Sequence, residues 1–159
     1  MIKHGWSKLF DVGILDAEGP DLELPIPNGK RIQKNLVGKD IKNYDSMLVL
    51  SHFKGHPMGG FGGALKQLSI GCASSAGKAN IHGAGKPEEM WTAEQNAFLE
   101  SMADAAESVV KLFDGKIVYI NVMKNMSVDC DCCAVAEDPC MKDIGILASL
   151  DPIAIDQAC

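Results

Sequence analysis

Between Ser46 and Pro87 the chain has no aspartate or glutamate, although it carries 21 acidic residues in all. The same stretch holds Lys54, Lys66, Lys78 and Lys86, three of the four histidines and nine of the sixteen glycines. Residues 127–140, SVDCDCCAVAEDPC, show the reverse: no basic residue, four carboxylates and four of the six cysteines. Other absences narrow the class. No run is long and apolar enough to span a bilayer, and the first twenty residues lack a signal-peptide layout. A cytoplasmic address is expected, where thiols stay reduced, so the cysteines read as metal-ligand or redox candidates and not as a disulfide framework. A formal charge of −6 offers no electrostatic ground for nucleic acid or an anionic membrane as partner. No repeat or low-complexity tract is visible, and 47% hydrophobic with 23% charged residues is a globular composition.

The pattern predicts strands at FDVGIL (10–15), LELPI (22–26), IQKNLVG, SMLVLSHF (46–53), KIVYINVM (116–123) and IGILASL (144–150). The run at 46–53 should be a buried strand that delivers a site at its carboxyl end, and 116–123 a central one. A short helix is expected from Gly63. A long one is expected over Glu88–Phe113, where Trp91, Ala97, Phe98, Met102, Ala105, Val109, Leu112 and Phe113 recur at spacings of three and four. Thr92 and Gln95 suggest a capping box within it, and Gly115 a stop. Asp151-Pro152 suits the start of a final helix, and Met1–Lys8 reads as the tail of another. Strands alternating with helices imply one α/β domain over 1–159, with a mixed or mostly parallel sheet flanked by helices. The shortness of the last helix suggests a piece of a larger domain, truncated at both ends.

HFKGHPMGGFGGALK runs from a predicted strand into a predicted helix. Glycines let backbone N–H groups approach a ligand, and a helix N-terminus favours negative charge. Gly59, Gly60, Gly62, Gly63, Lys66 and His82 are therefore candidates for holding a phosphate or carboxylate. His52, Lys54 and His56 are candidates for moving protons or compensating charge. The loop is neither a Walker A motif, since Gln follows Lys66, nor a G-x-G-x-x-G dinucleotide loop. His52 and His56 have helix-face spacing, but Gly55 and Pro57 argue against a helix there.

Cys130, Cys132, Cys133 and Cys140 lie among Asp129, Asp131, Glu137 and Asp138. A reactive thiolate needs a nearby cation, whereas neighbouring carboxylates raise thiol pKa values. A bound metal reverses this balance, because a coordinating thiol loses its proton. Zinc and an iron–sulfur cluster are the candidate cofactors. Adjacent Cys132 and Cys133 would strain a single ion, so three ligands from this loop are expected. The fourth could be Cys72, Cys159, a histidine or a residue outside the chain.

NYDSMLVLSHFKGHPMGGFGGALKQLSIG, KIVYINVMKNMSVDCDC and MKDIGILASLDPIAIDQAC, with LDAEG and LELPI, resemble the bacterial and archaeal family of uncharacterised Fe–S center proteins. The resemblance implies a longer protein and an iron–sulfur cofactor, with Cys130 and Cys132 on the family's DCDC pattern. Cys133 and Cys140 are particular to this sequence. The ferredoxin-like cluster domain that some relatives carry is not expected within these 159 residues. No reaction is implied.

Three functions follow as expectations. The first is an iron–sulfur or metal-binding protein with a redox role and a redox partner protein. The second is a metal-assisted enzyme acting on an anionic small molecule. The third is a structural zinc module for interactions.

Overall fold

A parallel strand pair forms where two apolar runs need burial and a long helix separates them in sequence. β3 (Met47–His52) lies beside β6 (Ile117–Met123), in register from Met47↔Ile117 to His52↔Val122. β7 (Gly145–Ser149) adds antiparallel on the other side of β6, from Tyr119↔Ser149 to Met123↔Gly145, so 116–123 is central as expected. The architecture, a computed structural model describing residues 5–19, 21–135 and 137–159, is mixed α/β. Two smaller antiparallel pairs complete it. One joins β1 (Leu22–Pro25) to β2 (Lys34–Val37), the other β4 (Lys54–His56) to β5 (Gly60–Gly62).

Alternation along the strands sends Val49, Ile117 and Tyr119 into the core and leaves Leu48, Leu50 and Ile146 on the opposite, exposed face. The inner face is covered by α1 (Ala64–Lys66), which continues as a π turn over Gln67–Gly71, and by α4 (Pro152–Ala158). α3 (Gln95–Leu112) packs along that turn and buries Phe98, Met102, Ala105 and Val109, as its spacing predicts. α2 (Ser75–His82) starts where the Ser74 hydroxyl accepts from Gly77 N–H at 3.1 Å. At α4 the Asp151 carboxylate accepts from Ile153 and Ala154 N–H at 2.8 and 3.0 Å, the cap expected there. No helix among the described residues is long and apolar enough to cross a membrane.

Several sequence expectations need correction. Residues 10–15 form no strand; Leu9, Phe10, Val12 and Ile14 are exposed there, without a sheet neighbour to pair with. The long helix starts at Gln95, after a separate turn at Pro87–Glu89. Its cap is Glu94, whose carboxylate accepts from Ala97 N–H at 2.9 Å; Thr92 bonds back to the Glu89 carbonyl. Trp91 precedes the helix and is 78% exposed, so it belongs to no buried stripe, and Leu112 lies on the exposed side of the last turn. Of the expected Met1–Lys8 helix tail, residues 1–4 lie outside the described residues, and Trp6–Lys8 is a single 3-10 turn. The β4–β5 hairpin and α2 are elements that local patterning does not announce.

Candidate metal and anion site at the ends of β3 and β6

β3 and β6 run parallel, so both deliver their following loops to the same edge of the sheet, where ligands of open α/β sheets commonly bind. From β3 the chain passes through Phe53, whose N–H reaches the Val122 carbonyl at 3.0 Å, into β4. From β6 it passes through residues 124–129 to the cysteines. The two segments are fastened by Gly55 N–H donating to the Ser127 carbonyl at 2.8 Å. A Cβ at Gly55 would sit 2.0 Å from the Val128 carbonyl oxygen and 2.8 Å from its Cα, so only glycine admits this approach. Gly55→Ala is expected to cost about 1–3 kcal/mol by overpacking and to displace the cysteine loop. Urea unfolding checks the stability, and a metal titration of the folded variant should show weakened binding.

This fastening brings His56, Cys130 and Cys132 together, with one potential ligand atom from each lying within 4.8 Å of the others. His56 and Cys130 are buried, and Cys132 is exposed. The group could hold a metal. Its imidazole is already engaged: Nδ1 accepts from Gly59 N–H at 2.9 Å and Met58 N–H at 3.3 Å. That leaves the neutral ring with its proton on Nε2, whereas a ligating histidine usually donates from its second nitrogen. The two sulfurs are therefore the stronger donors, and His56 must give up those bonds or its Nε2 proton to join them. Burial, followed by the charges of Lys66, His82 and Lys54, lowers the His56 pKa to about 4, so the ring is neutral near pH 7.

The electrostatics around Cys130 differ from the sequence expectation. Burial opposes its ionisation. The Cys132 S–H donating at 2.7 Å, the Cys132 N–H at 3.4 Å, and the Lys66 and Lys54 charges outweigh that cost and hold the thiol below its ordinary value. Lys66 Nζ stands 3.6 Å from Cys130 Sγ. Cys132, exposed as a residue, has its thiol pushed up to about 11 by partial desolvation against the loop, then by its bond to Cys130 and the Cys130 charge. Of the two thiols, Cys130 is therefore the one inclined to ionise first. The neighbouring carboxylate that the sequence sets against the thiols is neutralised elsewhere: Asp131 lies 3.0 Å from Lys54 Nζ and 2.9 Å from His52 Nδ1. Its own pKa falls although partial burial works against this, because those two groups donate to it.

His52 is fully committed, with Nε2 on the Lys124 carbonyl at 2.8 Å and Nδ1 on Asp131. His82 stands apart from the sulfurs. Its Nδ1–H donates to the Lys78 carbonyl at 2.7 Å, and the ring stacks on Phe98 at 5.0 Å. Cys133 and Cys140 are exposed and outside the three-residue group. Cys133 N–H closes a turn on the Cys130 carbonyl, and Cys140 lines a cavity of about 270 Å³ with Phe53, Phe61, Met126 and Val128. Cys72 packs in the core, where burial raises its pKa to about 11. Cys159 accepts from the Asn121 amide at 3.5 Å.

The glycines of the loop accommodate the protein's own groups. Gly60, at φ +75°, turns the β4–β5 hairpin, and Gly59 approaches the His56 ring. A Cβ at Gly62 would lie 3.3 Å from both the Lys54 and Lys66 stems, and one at Gly63 2.3 Å from the Asp156 carboxylate. Asp156 accepts from Ala64 N–H at 2.7 Å, Leu65 N–H at 2.9 Å and the Asn121 amide at 2.8 Å. The start of α1, which the sequence offers to an external anion, is therefore filled by an internal carboxylate. Lys54, Lys66, Lys78 and Gln67 instead line a separate cavity of about 200 Å³. Sequence reasoning does not assign Lys78, Gln67 or Asp156 to the site, since each comes from a helix whose docking is decided by tertiary packing. The only sequence signal is that Lys78 and Gln67 belong to the acid-free stretch.

A family model described as a domain of unknown function, DUF362, matches residues 1–159. The chain belongs to DUF362. Neither a curated protein nor a solved structure matches this DUF362 chain.

Proposed function

We propose that this chain binds a transition-metal ion through Cys130, Cys132 and His56, in a site suited to redox or Lewis-acid chemistry on an anionic small molecule. The observation that carries this reading is the convergence of two thiols and an imidazole, from segments 74 residues apart, within 4.8 Å. Thiolate with imidazole suits zinc, iron or copper and disfavours magnesium or calcium. Three protein donors would leave a further position for substrate, the pattern of a catalytic and not a structural zinc site. Such an ion, when bound, would polarise a substrate oxygen or exchange an electron. Lys54 and Lys66 would balance negative charge beside it.

An iron–sulfur cluster, the cofactor that the resemblance implies, takes four thiolate ligands as a rule. Among the described residues two of the four clustered cysteines meet, so the single-ion reading fits the donor set better. Purification without oxygen, followed by iron, zinc and sulfide analysis, tests this. The expected result is about one metal per chain without sulfide, lost in Cys130→Ser/Cys132→Ser. Stoichiometric sulfide would replace the single ion by a cluster that recruits Cys133 or Cys140. Zinc needed for folding itself would make the site structural. A chain that retains no metal after anaerobic reconstitution overturns the proposal.

A further inference from the structure

The cavity between Lys54, Lys66 and Lys78 adjoins the sulfur group, and we infer that it binds the phosphoryl group of a small phosphorylated molecule beside Cys130. This deepens the metal reading and rests on it for what the molecule is presented to, while the binding itself is performed by the lysines. Lys54 and Lys66 belong to both places. Lys54 meets Asp131, which neighbours Cys130, and Lys66 touches Cys130 Sγ. Lys78, on α2, supplies the third ammonium, and the Gln67 side chain adds an amide.

Four observations select a phosphoryl group. The first is donor supply. Each ammonium carries three N–H groups, of which Lys54 uses one on Asp131 and Lys66 one on sulfur. Lys78 has Asp16 at 3.7 Å, too long for a hydrogen bond, and such exposed pairs are worth about 0–1 kcal/mol. Most of the donors thus remain free, and no acidic side chain among the described residues lines the cavity.

The second is donor type. Ammonium groups are compact point charges with three donors each and are common phosphate binders, and three of them around one cavity favour an anion that carries more than one negative charge. This cavity has three lysines and no arginine. The third is size: about 200 Å³ admits a phosphoryl group with a few further atoms and is too small to enclose a large cofactor. The fourth is convergence. The Lys54 and Lys66 stems meet at Gly62, where a Cβ would lie 3.3 Å from both, so the two side chains enter the cavity side by side.

Inorganic phosphate is the probe, titrated calorimetrically into the wild-type chain at fixed ionic strength. Saturable one-to-one binding is expected. It should weaken about tenfold or more in Lys66→Met and in Lys78→Met, each removing a charge-assisted hydrogen bond. Lys78 is 40% exposed on its side chain, so Lys78→Met should fold normally; Gln67→Ala, also at an exposed position, is a second variant that should weaken binding. Cys130→Ser/Cys132→Ser should bind phosphate at least as tightly as wild type, since it frees the Lys66 donor held by sulfur, which separates this inference from the metal reading. Phosphate affinity unchanged in Lys78→Met, or absent from the wild type, overturns the inference. Loss of binding in the cysteine variant alone would place phosphate on a metal instead, and acetate binding as tightly as phosphate would overturn the choice of class.

Discussion

Cys130→Ser is expected to weaken metal binding by roughly a hundredfold to a thousandfold, about a quarter share of the roughly 10–16 kcal/mol supplied by a complete four-ligand zinc site. The effect should exceed that of His56→Asn, because the imidazole Nδ1 is held by Gly59 and Met58 N–H groups while Cys130 is already inclined to ionise. Competition titration with a chromophoric chelator measures both. The same substitution has a second readout in metal-free, reduced protein. Thiolate absorbance followed against pH should show an early step, below the ordinary thiol value, that belongs to Cys130, and a late one near pH 11 that includes Cys132. Cys130→Ser removes the early step, and Lys66→Met moves it upward by removing the nearby cation.

The signs for stability follow from linkage. The Cys130 pKa is depressed by folding, so its stabilising contribution exists above the unfolded-state value and is lost as pH falls through the folded one. Cys132 is raised, so its contribution exists below the unfolded-state value and is lost as pH rises toward about 11. An unshifted early step in Cys130→Ser would show that the thiolate lies elsewhere and would remove the electrostatic basis of the site.

Asp156→Ala is expected to destabilise the fold by about 3–5 kcal/mol, since each buried donor left without a partner costs about 1–3 kcal/mol. Three N–H groups lose their acceptor, those of Ala64 and Leu65 and one from the Asn121 amide, which keeps its contact with Cys159, around a carboxylate only 5% exposed. The damage reaches the site through a short path. Asp156 ties α4 to the first turn of α1, and the third residue of that turn is Lys66. Chemical denaturation should therefore show the lost stability, and phosphate affinity should fall even where the chain is still folded. Asp156→Asn keeps one accepting oxygen and should recover part of both. A stability change below about 1 kcal/mol in Asp156→Ala would mean that α1 is held by its apolar contacts, Ala64 and Leu68, without the carboxylate.

How much of this was legible beforehand differs element by element. The β3, β6 and β7 runs are long, apolar and bounded by turn residues, so alternation and length identify them; α4 is marked by Asp151 followed by proline. Residues 10–15 carry the same apolar signal without becoming a strand, because a strand exists only where a neighbour accepts its hydrogen bonds. Trp91 fits the helical spacing of α3 yet lies outside the helix, since Glu94 provides the cap. The cysteine pair was legible as a unit because Cys130 and Cys132 are two residues apart. Its partner His56 was one of several candidates, and only the Gly55–Ser127 fastening singles it out.

The amino-acid sequence alone determined the α/β class, the central strand, the crowding of thiols near one point and the separation of basic from acidic stretches. Those properties depend on neighbours within a few positions, where backbone periodicity and residue type suffice. Tertiary structure alone decided which charges face one another. It turned Asp131 toward Lys54 and His52, set Lys66 against Cys130 and filled the start of α1 with Asp156. Coulomb interactions depend on distance in space, and residues 64 or 92 positions apart acquire a distance only when the chain folds.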